Sequence, residues 1–154
     1  MPPKLRLWLP VAALMLITLL LGTDLFAHRR THEMLWAVLN WLGLDGLRLP
    51  RPLVRTGEGW LRKSAHFLEY GLLAALWFRA LRGSSPERWR WSWAGLALVG
   101  AVAWAAVDEL QQASIATERT GSVQDVVLDG CGAATALAVV GLFAWYRRRS
   151  ASGD

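Results

Sequence analysis

The chain carries a single cysteine, Cys131, among 154 residues. One thiol excludes a disulfide-stapled scaffold, and its place in an apolar run says little about redox compartment. Charge is scarce as well, at 19% of residues, against about 25% in a soluble domain. So little charge with so many apolar residues excludes an intrinsically disordered chain. There is no internal repeat, no low-complexity tract and no glycine triplet period, so solenoid and collagen-like architectures are out. The spacings H-E-x-x-H, CxxC, P-loop and G-x-S-x-G are all missing, and no known chemistry can be read from those motifs.

Apolar surface dominates what is there. Hydrophobic residues make up 54% of the chain, ten residues are tryptophan, and the mean hydropathy is +0.27. Tryptophan favours the boundary between membrane and water. Net charge is +5, from 17 basic and 12 acidic residues. Most arginines flank apolar runs, where they act as topology signals and lipid head-group contacts. No nucleic-acid motif accompanies them, so membrane lipid is the expected partner and nucleic acid is not.

By length this is one domain. Four stretches approach the roughly 17–25 helical residues needed to cross about 30 Å of hydrocarbon: Leu7 to Phe26, Ala65 to Leu81, Trp91 to Val107 and Val126 to Tyr146. Each must be helical, because unpaired backbone in lipid is costly. The expected fold is an all-α integral membrane bundle of four transmembrane helices. Residues 1–26 form the first of them and carry Asp24 near its end. A basic start (Lys4, Arg6) resembles a signal peptide, but the apolar run is too long and lacks an A-x-A site, so it reads as an uncleaved anchor. Residues 27–64 form an extracytoplasmic loop. Within it, Glu33 to Leu49 spaces Leu35, Val38, Leu39, Leu42 and Leu44 for a helix lying in the interface, the alternative being a plain tether. Leu49-Pro50-Arg51-Pro52 then breaks any helix. Residues 65–146 form a three-span core. Residues 147–154 are a basic cytoplasmic tail, expected to be disordered after Arg149.

Basic residues are denser beside one face. Lys4, Arg6, Arg79, Arg82, Arg88, Arg90 and Arg147 to Arg149 lie in short segments, whereas the others are spread over the long loop and, with Arg119, the segment before the fourth stretch. This places both termini in the cytoplasm.

The polar residues of the spans gather at the opposite end. Lys63, His66, Glu69 and Tyr70 open the second stretch, with Lys63, His66 and Tyr70 spaced for one helix face. Asp108, Glu109 and Gln112 close the third. Arg119, Asp125 and Asp129 precede or open the fourth, and Gly132 and Ala136 continue the stripe of the two aspartates with small residues that permit close helix packing. Alternating helix directions bring all of them to one side of the membrane. A charge at mid-membrane costs about 2.5–3.5 kcal/mol and much less near the interface, so each residue alone is weak evidence. Lys63 taken singly reads as a snorkelling anchor, Tyr70 as packing, Asp108 or Asp125 as a helix-end cap. Together they read as a polar pocket, with a purely structural hydrogen-bond network as the alternative. His28 and His32 are four residues apart, but no third metal ligand is evident and they read as solvated loop.

These residues resemble the VanZ family of bacterial membrane proteins. The matching motifs are Lys63-x-x-His66-x-x-x-Tyr70, then Asp108-Glu109-x-x-Gln112, then Arg119 followed by Asp125-x-x-x-Asp129-x-x-Gly132. The resemblance covers roughly residues 60–145 and leaves the long first loop outside. Two positions depart from the pattern: Asp129 stands where the family often has Asn, and Ala136 where it has a further Gly. The family is named for a glycopeptide-resistance determinant linked to teicoplanin, so the resemblance implies a fold and a cell-envelope location more firmly than a reaction.

Three functions are consistent with this. The first is an enzyme, a transferase or hydrolase of the head group of a phospholipid or polyprenyl-phosphate cell-wall precursor at the outer face. His66 would be base or nucleophile, Glu109 or Asp108 its orienting or acidic partner, with Glu69 beside them in the catalytic group. Lys63 and Arg119 would bind phosphate, with Tyr70 and Gln112 also contacting substrate. Asp125 and Asp129 are the candidates for a divalent cation bridging the phosphate. The second function is a non-catalytic binder of a lipid precursor or glycopeptide antibiotic. The third is a small transporter, against which the absence of mid-membrane charge in the third and fourth stretches argues.

Overall fold

The computed structural model describes residues 3–21, 33, 35–43, 50–83, 85, 89–115 and 122–151. Asp24, His28, His32, Leu44, Arg88 and Arg119 lie outside the described residues. Four long helices account for most of the rest, and no strand occurs among the described residues. They are α1 (Pro3–Leu21), α2 (Arg51–Arg82), α3 (Trp91–Ile115) and α4 (Val123–Ala151).

All four expected apolar stretches are helical over their described residues, residues 22–26 of the first lying outside these, and the other three helices run beyond the expected limits. α2 begins fourteen residues before the apolar run Ala65 to Leu81, so 51–64, expected as loop, is helix. The proline-rich break is real but lies at its start. Pro50 is the extended N-cap and Pro52 occupies the first turn, where a missing N–H would have had no intrahelical partner anyway. α3 continues past Val107, which puts Asp108, Glu109 and Gln112 inside its last two turns. α4 likewise continues to Ala151, so the start of the basic tail, through Ser150 and Ala151, is ordered helix. Of the expected interfacial helix, Glu33 and residues 35–41 are helical, residues 34 and 44–49 lying outside the described residues, and Gly43 ends that run in a left-handed conformation at φ +71°, its N–H bonded to the Asn40 carbonyl.

Two of these helices are long and apolar enough to cross a membrane, α3 over Trp91–Ser114 and α4. The apolar segment of α1, Leu5–Leu20, is shorter, and α2 carries charge along its first half. In the most apolar windows of α3 and α4 only 33% and 22% of residues are buried. The large side chains point outward: Leu96, Val99 and Leu110 on α3, Val127, Leu142 and Phe143 on α4. The buried seam of α3 is made of small ones, whereas α2 and α4 also bury Leu73, Phe78 and Leu137. On α3 it runs Ala94, Ala97, Ala101, Ala105 and then Asp108 and Gln112, at spacings of three or four. A soluble core has the reverse arrangement, and outward apolar faces with small residues inside are what lipid allows.

α2 is the central helix, packed most extensively on α4 and then on α3, while α1 lies against α2 and α3. The tightest approach is between α2 and α4. A Cβ on Gly132 would drive into the Phe67 carbonyl, and one on Gly71 would come within 3.1 Å of the Gly132 carbonyl oxygen. α1 is held by side chains rather than by small residues. Buried Thr18 accepts a hydrogen bond from Trp104 Nε1 (2.9 Å) and donates to the Met15 carbonyl (2.9 Å), and Gln111 Nε2 donates to the Leu19 carbonyl (3.3 Å).

Gly132→Ala should therefore destabilise the bundle by about 1–3 kcal/mol, the usual cost of overpacking. Gly95→Ala, whose Cβ would meet nothing within 4 Å, should be neutral or slightly stabilising through helix propensity. Thermal unfolding of both variants in detergent checks this pair.

Candidate functional site

The buried seams of α2, α3 and α4 all end in polar residues at one end of the bundle. The antiparallel course of the helices brings these ends together: His66 and Tyr70 near the middle of α2, Asp108 and Gln112 near the end of α3, Asp129 near the start of α4. Five candidates from the sequence thus meet in one cluster.

Asp108 is its hub. Tyr70 Oη donates to Asp108 Oδ2 at 3.1 Å, across from α2 to α3. Gln112 Nε2 donates to the same oxygen at 3.0 Å, one turn along α3. All three side chains are buried. A buried carboxylate left without donors costs several kcal/mol, so two donors converging on one oxygen make this contact a fastening between helices. Tyr70 and Gln112, expected to touch substrate, each donate to Asp108. The other oxygen, Asp108 Oδ1, is buried with no hydrogen-bond partner among the described residues.

His66 lies beside this hub. Its ring stacks on Tyr70, with centroids 6.2 Å apart and planes 16° from parallel. Its Nδ1 is 3.8 Å from Asp129 Oδ1. Both atoms are buried and neither has a hydrogen bond among the described residues, and at 3.8 Å they are about 0.6 Å beyond hydrogen-bond range. The carboxylate facing His66 is therefore Asp129, where the sequence reading had put Glu109 or Asp108. The His66 side chain keeps 23% of its surface exposed, while that of Asp129 keeps 1%. One partner is reachable from outside and the other is fixed within.

Glu109 is buried and turned elsewhere. Its Oε2 accepts the Ser122 N–H at 2.9 Å. The Ser122 carbonyl in turn accepts the N–H groups of Asp125 (3.0 Å) and Val126 (3.3 Å). Glu109 thus ties the end of α3 to the first turn of α4, and a negative group at a helix N-terminus is favourable there. Glu69 is half-buried, close enough to His66 and Asp108 to feel their charge. Lys63 is exposed one turn before His66, and Asp125 is half-buried one turn before Asp129. No group of three or more His, Cys, Asp or Glu side chains among the described residues is arranged to hold a metal ion. Asp129, expected as a cation ligand, faces the imidazole of His66.

The sequence reading did not single out Thr18 and Trp104, which dock α1. Their only signal was a lone hydroxyl and a lone indole at mid-helix positions.

An all-helical protein with two membrane-length helices and a buried polar cluster at one end of its bundle is the class that fold and site define. A family model described as VanZ/LLP1 matches residues 7–144, and the chain belongs to that family. The match reaches well before residue 60, so it takes in α1 and the long loop that the resemblance had left out. No curated protein and no solved structure matches the chain.

Tyr70→Phe removes one of two donors from a buried carboxylate. It should lower stability by about 1–3 kcal/mol, read as a fall in unfolding temperature in detergent. An unchanged transition would mean that Tyr70 does not hold Asp108.

Proposed function

We propose that all four long helices cross the bilayer with both termini in the cytoplasm, and that the polar cluster opens to the outer face. There it acts on the head group of a phosphate-linked lipid, either a phospholipid or a polyprenyl-linked cell-wall precursor. The outward apolar faces of α3 and α4 support the membrane placement, and Arg147 to Arg149 at the far end of α4 support the orientation.

The observation that carries the chemistry is the pairing of half-buried His66 with buried Asp129. A carboxylate at Nδ1 fixes the ring and its tautomer and leaves Nε2 for substrate. Imidazole so held takes the proton of an attacking hydroxyl or water as it adds to phosphorus, then returns it to the leaving oxygen. Lys63, exposed one turn away, is placed to meet a phosphate oxygen as a point charge. Arg119 remains the second phosphate contact suggested by the family motif. Asp108, Tyr70 and Gln112 keep the helices in register around the pair, and Glu109 holds the start of α4.

His66→Ala in purified protein, reconstituted with lipid, should reduce head-group turnover at least about 100-fold, the low end of general acid–base contributions, while the unfolding temperature stays near that of the parent. Turnover that survives would remove His66 from the chemistry. Substrate retained by the parent protein with no product formed would identify a non-catalytic binder instead.

A further inference from the structure

A concave feature lies at the end of the bundle opposite His66. A groove of about 830 Å³ runs between the first half of α3 and the second half of α4. Its floor is small and apolar, with Ala94, Gly95, Ala134 and Ala138 among its lining residues. Along α4 it extends from Ala134 to Arg148, about 20 Å at 1.5 Å per residue. That is somewhat more than the roughly 15 Å depth of one leaflet's hydrocarbon. Its two walls belong to the two helices long and apolar enough to cross a membrane.

The mouth of the groove has a different chemistry. Trp89, Trp91 and Trp145 stand around it with Arg148, whose guanidinium reaches from α4 to the Trp89 carbonyl at 3.4 Å. Arg149 lies over the Trp145 ring at 4.1 Å, and Arg90 over the Trp93 ring at 5.2 Å. An apolar trough of leaflet depth thus ends in an arginine and tryptophan collar. Tryptophan sits at head-group level, and guanidinium forks fit phosphate oxygens.

We propose that this groove holds an acyl chain of an anionic phospholipid, with the lipid phosphate at Arg148. The charge of the collar selects the anionic lipid over a zwitterionic one, and the small floor residues admit the chain. The proposal needs α3 and α4 in a bilayer but does not need His66 to do chemistry, so the two readings fail separately.

The test uses the full chain in vesicles containing phosphatidylglycerol or phosphatidylcholine that carries a photoreactive diazirine on one acyl chain. Labelled peptides are then mapped by mass spectrometry. Phosphatidylglycerol should label 91–98 and 134–148 about fivefold more than phosphatidylcholine does, the effect of one basic residue near a charged surface. Gly95→Phe projects a ring into open space and should cut that labelling severalfold, as should Ala138→Phe on the facing wall. Arg148→Glu should abolish the preference for the anionic lipid, and Arg148→Lys should retain it. Equal labelling by both lipids, or labelling unchanged by both Phe variants, would overturn the proposal. So would cross-links from the groove to a second copy of the chain in place of lipid.

Discussion

Where α2 and α4 meet, a Cβ on Gly132 would have no room against the Phe67 carbonyl, and one on Gly71 would sit 3.1 Å from the Gly132 carbonyl oxygen. Everything at the polar end follows from that contact. It brings the helix carrying His66 within reach of the helix carrying Asp129, beside the buried Leu73, Phe78 and Leu137. Between helices whose outer faces are already suited to lipid, association rests on close van der Waals fit and on hydrogen bonds. Both are present: small residues line the closest helix approaches, and the Asp108 hub closes the end of the bundle.

A division of labour follows. Asp108, Tyr70, Gln112 and Glu109 bond to one another or to backbone, and so hold helices in register. His66 Nδ1 and Asp129 Oδ1, like Asp108 Oδ1, have no hydrogen-bond partner among the described residues. A structural network tends toward full satisfaction, and these unpartnered atoms beside a partly exposed imidazole are what the proposed chemistry rests on. The opposite end of the bundle has the converse chemistry, with arginines and tryptophans around an apolar groove. One short chain therefore presents carboxylates and a histidine at one end and guanidinium groups at the other.

Much of this was legible in the sequence, for physical reasons. Long apolar runs fix helices, and alternating directions bring their polar ends together whatever the details of packing. That is why His66, Tyr70, Asp108, Gln112 and Asp129 could be grouped from spacing. Helix limits were harder, since Pro52 stops a helix only if placed inside it and starts one when placed in the first turn. Partner choice was harder still. Sequence spacing puts Glu109 and Asp108 on neighbouring positions but does not say which faces α2, because a rotation of 100° per residue separates them. Asp129 was visible as one of two stacked carboxylates, but its partner across the interface depended on how closely Gly132 lets α2 approach.

The close approach of α2 and α4 can be measured directly. A Cβ at position 71 would lie 3.4 Å from that of Ala136, near the roughly 3.5–4.5 Å span of a disulfide. With Cys131→Ser removing the native thiol, Gly71→Cys combined with Ala136→Cys should oxidise almost completely under mild conditions in the membrane, so that neither thiol takes up a maleimide until reductant is added. Two thiols that stay open to maleimide after oxidation, in protein that still unfolds cooperatively, would contradict the interface on which the pairing of His66 with Asp129 depends.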